Sequence, residues 1–332
     1  MSRLSIYYRF KKTLARYGWL CRALAFFSLY AIWVMGFRLF TLTFITYFTI
    51  SPTAHFQDIS DAFSSNEVTL MGLSSLLFVG LLYWLNPVAN TPLTDFVTRA
   101  RIEKKFLPGF TRGALFAGGI VFFFLLAGVY RYLGYFIQFD EAPLELANVL
   151  LRMFALGVLA YCEEYIFHYK IVQLLKGPRT GRLTELSLAL LIALLYCGIK
   201  ILQFDLGLMQ LVTLFLISIR LFYHSSFASG AGFWAAILII LQPVLSLPIF
   251  GNDFSGLLII RYNSALFEHH SSLAAGITTG MAAGLAGLTH EHLILFTRFL
   301  SGGVGGPLSS FAFQLVLILD ISRKILTRKT TT

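Results

Sequence analysis

Apolar runs of about the length that crosses a bilayer recur along this chain, and they decide its solvent. A membrane-spanning helix needs about 20 apolar residues. Eight stretches meet that requirement, at roughly 23–49, 68–88, 112–137, 146–175, 185–203, 207–224, 232–250 and 307–326. Of the 332 residues, 57% are hydrophobic and only 13% are charged, against about 25% charged in soluble domains. Mean hydropathy is +0.75. In hydrocarbon each backbone polar group must find its partner within the protein, which favours helices. The expected fold class is therefore all-α, a polytopic membrane helix bundle of about eight transmembrane helices. The fourth run is longer than a bilayer needs and should tilt or protrude. The segment 263–305 is apolar but rich in Gly and Ala, which suits close helix packing or a re-entrant piece.

The charges orient the bundle. Of the 26 Lys and Arg residues, 19 fall in the N-terminal arm, the loops after the second and fourth runs, and the C-terminal tail. All four regions lie on one side of an eight-span arrangement. The opposite loops, 51–67 and 138–145, contain no Lys or Arg but hold Asp58, Asp61, Glu67, Asp140, Glu141 and Glu145. The positive-inside rule then places both termini in the cytoplasm of a multi-pass integral membrane protein, with a bacterial inner membrane as the expected location. The net charge of +10 reads as topogenic, with anionic lipid on the cytoplasmic side as its partner. No soluble basic domain is visible, so nucleic acid is excluded as a partner. The apolar stretch after Arg22 is too long for a signal peptide and reads as a retained first span. Cys21, Cys162 and Cys197 all lie in apolar runs and suggest neither a disulfide framework nor a zinc knuckle.

The charges expected to be buried or nearly so are few: Arg38, Arg131, Arg152, Glu163, Glu164, Lys200, Arg220 and Asp320. An ionisable side chain in hydrocarbon is costly and marks a functional site by default. Glu163 and Glu164 are adjacent, and His168 follows Glu164 by four residues, which puts those two on one helix face. Glu163 points about 100° away from its neighbour. Both Glu164 and His168 are of metal-ligand type, and a glutamate with a nearby histidine can activate water. The competing reading is a glutamate in a buried ion pair with Lys200 or Arg38, fixing helix register. A lysine on the neighbouring helix would keep one glutamate ionised where burial alone would neutralise it. Arg38 and Arg131 are expected to pair with a glutamate or to snorkel to an interface.

The segment EEYIFH at 163–168 resembles the EExxxR motif of the CAAX protease and bacteriocin-processing (CPBP, or Abi) membrane proteins. Their second motif, FxxxH, is matched in place by Tyr196 and Lys200. Their third, HxxxN or HxxxD, follows a Trp-bearing helix start that GFWAAILIILQPV at 232–244 resembles, with Ile240 and Val244 in the polar places. The resemblance covers roughly 140–255, a CPBP-like core of spans four to seven. It divides the bundle into 1–139, spans one to three with the basic arm; 140–255; and 256–332, the Gly/Ala/His segment with the last span.

The resemblance implies a glutamate-dependent intramembrane endopeptidase, acting on a peptide or membrane-protein substrate by glutamate-activated water. Glu163 and Glu164 carry over intact, while His168 replaces arginine, Lys200 replaces histidine, and Ile240 and Val244 replace the third pair. Ile transfers no proton, and protonated Lys is no base. The expected site is thus Glu163, Glu164, His168 and Lys200, in a peptidase scaffold whose hydrolysis is impaired or lost. The cofactor is left open, with a divalent metal such as zinc as the candidate. Two other classes stand beside this one: a proton- or ion-coupled transporter using the intramembrane Glu, His and Lys, and a non-catalytic membrane scaffold or regulator. The late clusters Glu268, His269, His270 and His290, Glu291, His292 are read as loop or interfacial residues. SGGVGGP at 301–307 reads as a turn before the last span and not as a phosphate loop.

Overall fold

A computed structural model describes residues 3–44, 56–85, 102–135, 142–175, 185–204, 206–224, 226–249, 256–263, 295 and 298–329. Its helices are α1 (Arg3–Phe44), α2 (Phe56–Leu85), α3 (Leu107–Leu126), α4 (Ala142–Glu163), α5 (Glu185–Gln203), α6 (Leu208–Phe222), α7 (Phe227–Ile239) and α8 (Phe311–Lys329). Among the described residues, six helical stretches are long and apolar enough to cross a membrane: Cys21–Phe44, Glu67–Leu85, Lys104–Leu126, Pro143–Leu175, Glu185–Gln203 and Phe227–Val244. Helix α6 has 15 residues, too few to span alone. Helix α8 carries Asp320, Arg323 and Lys324 in its second half. The protein is a mostly helical integral membrane protein with lipid-facing apolar helices.

The third and seventh runs differ from the sequence reading in an instructive way. The third helix stops at Leu126 instead of reaching 137, because Gly128 adopts φ 72°, a conformation that ends a helix at low cost only for glycine. The chain then forms β1 (Tyr130–Tyr135), which pairs antiparallel with β2 (Leu258–Tyr262). This ribbon adds a small β element to the α bundle. The seventh helix begins at Phe227, five residues before 232, where the Ser226 side chain accepts a hydrogen bond from the Ser229 amide. Such a cap satisfies one of the free amides of the first turn.

Helix α7 is the axis of the bundle. Of Phe227–Val244, 78% is buried within the protein, whereas the other five spans are 17–44% buried. Its tightest neighbour is α3. A Cβ on Gly113 would lie 2.3 Å from the Phe233 carbonyl oxygen, and one on Gly232 equally close to that of Phe106. Small residues let two membrane helices approach backbone to backbone, where dispersion contacts and not water exclusion hold them.

Polar side chains stitch the remaining helices. Arg38 on α1 pairs with Glu67 on α2 at 3.3 Å and donates to the Leu202 carbonyl of α5 at 3.0 Å. Arg152 on α4 donates to Gln242 beyond α7. Gln314 of α8 reaches Met209 and Thr213 of α6, and deeper in the same helix pair Asp320 binds Arg220. The Gly-rich 301–307 segment makes two 3-10 turns before α8, with Gly302 at φ 82°.

Candidate functional site

Beyond Glu163 the fourth span widens into a π-helical stretch, Glu164–Ile171, before closing with Val172–Leu175. Such wide turns are rare and frequently lie at functional sites. Here the change of pitch comes between the two glutamates, and it sends them to different neighbours.

Glu163 is 2% exposed and faces α5 and α7. Its Oε1 accepts from the Lys200 ammonium. Its Oε2 accepts from the Tyr196 hydroxyl at 2.9 Å and from the Trp234 indole N–H at 3.0 Å. Three of the roughly four acceptor sites of a carboxylate are therefore filled. Lys200 is fully buried, and its ammonium lies 5.5 Å from the Tyr196 ring centre and 5.0 Å from that of Phe204. Aromatic faces stabilise a desolvated cation. A buried pair of this kind persists only when its geometry is good and the remaining lone pairs are satisfied, and Tyr196 and Trp234 meet that condition.

Glu164, 1% exposed, turns toward α6 and α7. His168 Nδ1 stands 2.8 Å from Glu164 Oε2, off the hydrogen-bonding direction. A Cβ on Gly230 would sit 2.0 Å from Glu164 Oε1. His168 Nε2 lies 3.0 Å from both the carbonyl oxygen and the hydroxyl of Ser218 on α6.

Carboxylate, imidazole and hydroxyl thus stand in the order of a hydrolase triad, but the proton is wrongly placed for one. The Ser218 carbonyl only accepts, so the tautomer that satisfies it carries its hydrogen on Nε2 and takes none from the Ser218 hydroxyl. The chain Glu164–His168–Ser218 ties the π stretch to α6 and can store a proton, but it does not present an activated serine.

The residues singled out in the sequence do come together in two pairs, Glu163 with Lys200 and Glu164 with His168. Lys200 reaches Glu163 from α5, and the fourth span that carries Glu163 is 33 residues long, Pro143–Leu175. The α7 side chain on Glu163 is Trp234, six residues before Ile240. Arg38 pairs with Glu67 and not with the glutamate pair, and Arg131 is exposed on β1.

Three participants escaped the sequence reading: Tyr196 and Trp234, which donate to Glu163, and Ser218, which meets His168. The first two occupy aromatic places of the motif pattern, and a buried Tyr or Trp needs a polar partner, which was the available signal. Among the described residues, no three His, Cys, Asp or Glu side chains gather closely enough to hold a metal ion. Glu268, His269, His270, His290, Glu291 and His292 lie outside the described residues.

Comparison with protein-family models, curated proteins and solved structures finds no match for this chain.

Proposed function

We propose that this protein is a CPBP-like membrane scaffold of eight spans with both termini in the cytoplasm, in which the peptidase centre has become a structural polar core. The supporting observation is the occupation of Glu163: a lysine, a tyrosine and a tryptophan from two other helices fill its oxygens. A water-activating base must accept a proton from water, and here the base is already committed to Lys200. The replacements at Lys200, Ile240 and Val244 act in the same direction. The protein would then serve other membrane proteins as a binding or regulatory partner, a pseudoenzyme in the sense that it keeps the site without the reaction.

The test is hydrolysis of a quenched fluorescent peptide by purified protein in detergent and in liposomes. The expected result is no cleavage above background for the wild type, with no change in Glu163→Gln or Glu164→Gln. Cleavage by the wild type that disappears in either variant would overturn the proposal and restore the peptidase reading.

One observation favours a second reading. The Glu164–His168–Ser218 chain joins two helices by groups that can pass a proton, as a proton-coupled transporter requires. Proton flux in protein liposomes that is lost in His168→Ala would select it.

A further inference from the structure

At the foot of α6 the protein collects positive charge around one buried guanidinium. Arg220 is 3% exposed. Its Nε donates to Asp320 of α8, and its guanidinium carbon lies 4.8 Å from the Phe233 ring centre. Its Nη1 is sealed from solvent and has no hydrogen-bond partner among the described residues. The ring of His224, four residues on, packs 5.5 Å from the same Phe233 ring, and its Nε2 is likewise buried and unpartnered among the described residues. Arg112 of α3 and Lys324 of α8 stand within electrostatic range of both Arg220 and His224.

Two carboxylates face this group. Asp320 is taken by Arg220, and Glu164, in range of Arg220, lies against His168. Three fixed cations and a histidine therefore share the one carboxylate of Asp320 at close range. Removing an arginine from water without filling its donors costs far more than leaving it exposed. Arginine presents its N–H groups in a fork that matches phosphate oxygens. The Lys and Arg pattern assigns this end of the bundle to the cytoplasmic face, where anionic lipid headgroups lie.

We propose that Arg112, Arg220, His224 and Lys324 form a binding site for the phosphate group of an anionic lipid headgroup. Arg112 and the half-buried Lys324 are the approach. The Nη1 of Arg220 and the Nε2 of His224 are the inner donors. The ligand would bridge α3, α6 and α8, of which α6 and α8 already meet at this level through the Arg220–Asp320 pair and the packing of Ile219 with Ile321. This site is separate from the peptidase question, and its failure or success leaves that reading untouched.

Purified full-length protein in detergent is mixed with phosphatidylglycerol, phosphatidylcholine or inorganic phosphate, and bound species are counted by native mass spectrometry. Phosphatidylglycerol should be retained in preference to phosphatidylcholine, and Lys324→Gln and Arg220→Gln should each weaken its retention about five-fold. Arg323→Gln, a neighbouring exposed charge on α8, should leave retention unchanged. Lys324 is only half-buried, so its variant answers the question even if Arg220→Gln does not fold. Equal retention of the two lipids, or an Arg323→Gln loss as large as that of Lys324→Gln, would overturn the site in favour of diffuse surface attraction. Displacement of phosphatidylglycerol by inorganic phosphate at equal concentration would overturn the lipid assignment and make soluble phosphate the ligand.

Discussion

Gly230 of α7 and the Glu164 carboxylate fill one another's space: a Cβ added to the glycine would fall 2.0 Å from Oε1. Gly230→Ala should therefore push Glu164 off His168 and destabilise the protein by about 1–3 kcal/mol, the usual cost of overpacking. In a Glu164→Ala background the same substitution should cost close to nothing. Thermal unfolding of the four proteins of this cycle in detergent is the measurement. An equal cost in both backgrounds would mean that the glycine is needed for something else.

Lys200 and Glu163 should behave as a unit. Lys200→Ala strands a buried carboxylate and should cost about 3–5 kcal/mol, as breaking a buried pair does. Lys200→Arg keeps the charge and should cost less. Lys200→Met combined with Glu163→Gln removes both charges and should recover most of the loss. Equal melting temperatures for the Ala and Arg variants would show that the charge of Lys200 is not what Glu163 needs.

The α3–α7 contact makes a sharper statement about glycine. A side chain at Gly113 meets the backbone of Phe233, which cannot rotate away, whereas Gly118 has nothing within 4 Å. Gly113→Ala should destabilise by about 1–3 kcal/mol, and Gly118→Ala should be neutral or slightly stabilising because alanine is the better helix former. Melting curves that rank the two variants the other way would contradict the close approach.

Topology is open to direct labelling. Arg131 on β1 and Arg323 on α8 are both exposed, and the positive-inside pattern puts them on opposite faces. In a background with Cys21, Cys162 and Cys197 replaced by alanine, a membrane-impermeant maleimide should label Arg131→Cys in intact cells. It should label Arg323→Cys only after lysis. Labelling of both positions in intact cells would break the eight-span arrangement.

Hydropathy made the helices legible because burial in lipid demands long apolar runs, and those survive any detail of packing. The Glu163–Lys200 pair was also legible, since few cations in the membrane could answer a glutamate. What composition could not reveal was pitch. A sequence pattern read at 3.6 residues per turn has no way to register the π stretch at Glu164–Ile171, so the partition of the two glutamates between α5 and α6 stayed hidden. The stop at Gly128 was missed for a related reason: Val129, Tyr130, Tyr132 and Leu133 extend the run past it, and the break is set by the backbone angle of one glycine. Arg38 found Glu67 because the loop side of α2 brings an acidic residue to its level, a matter of relative helix height that one sequence does not encode locally.

The wide turn in the fourth span also has a consequence for how the protein tolerates change in length. A helix that carries surplus residues in one broadened turn holds slack at a known place. Loss of one residue within 164–171 would let that turn tighten to ordinary pitch, keeping α4 before it in phase with α2 and α7. It would move His168 within that turn while leaving the end of the span close to its present phase. Glu163 and its lysine would survive such a deletion, while the link to Ser218 would be cut, so a length variant separates what holds the bundle together from what connects it to α6.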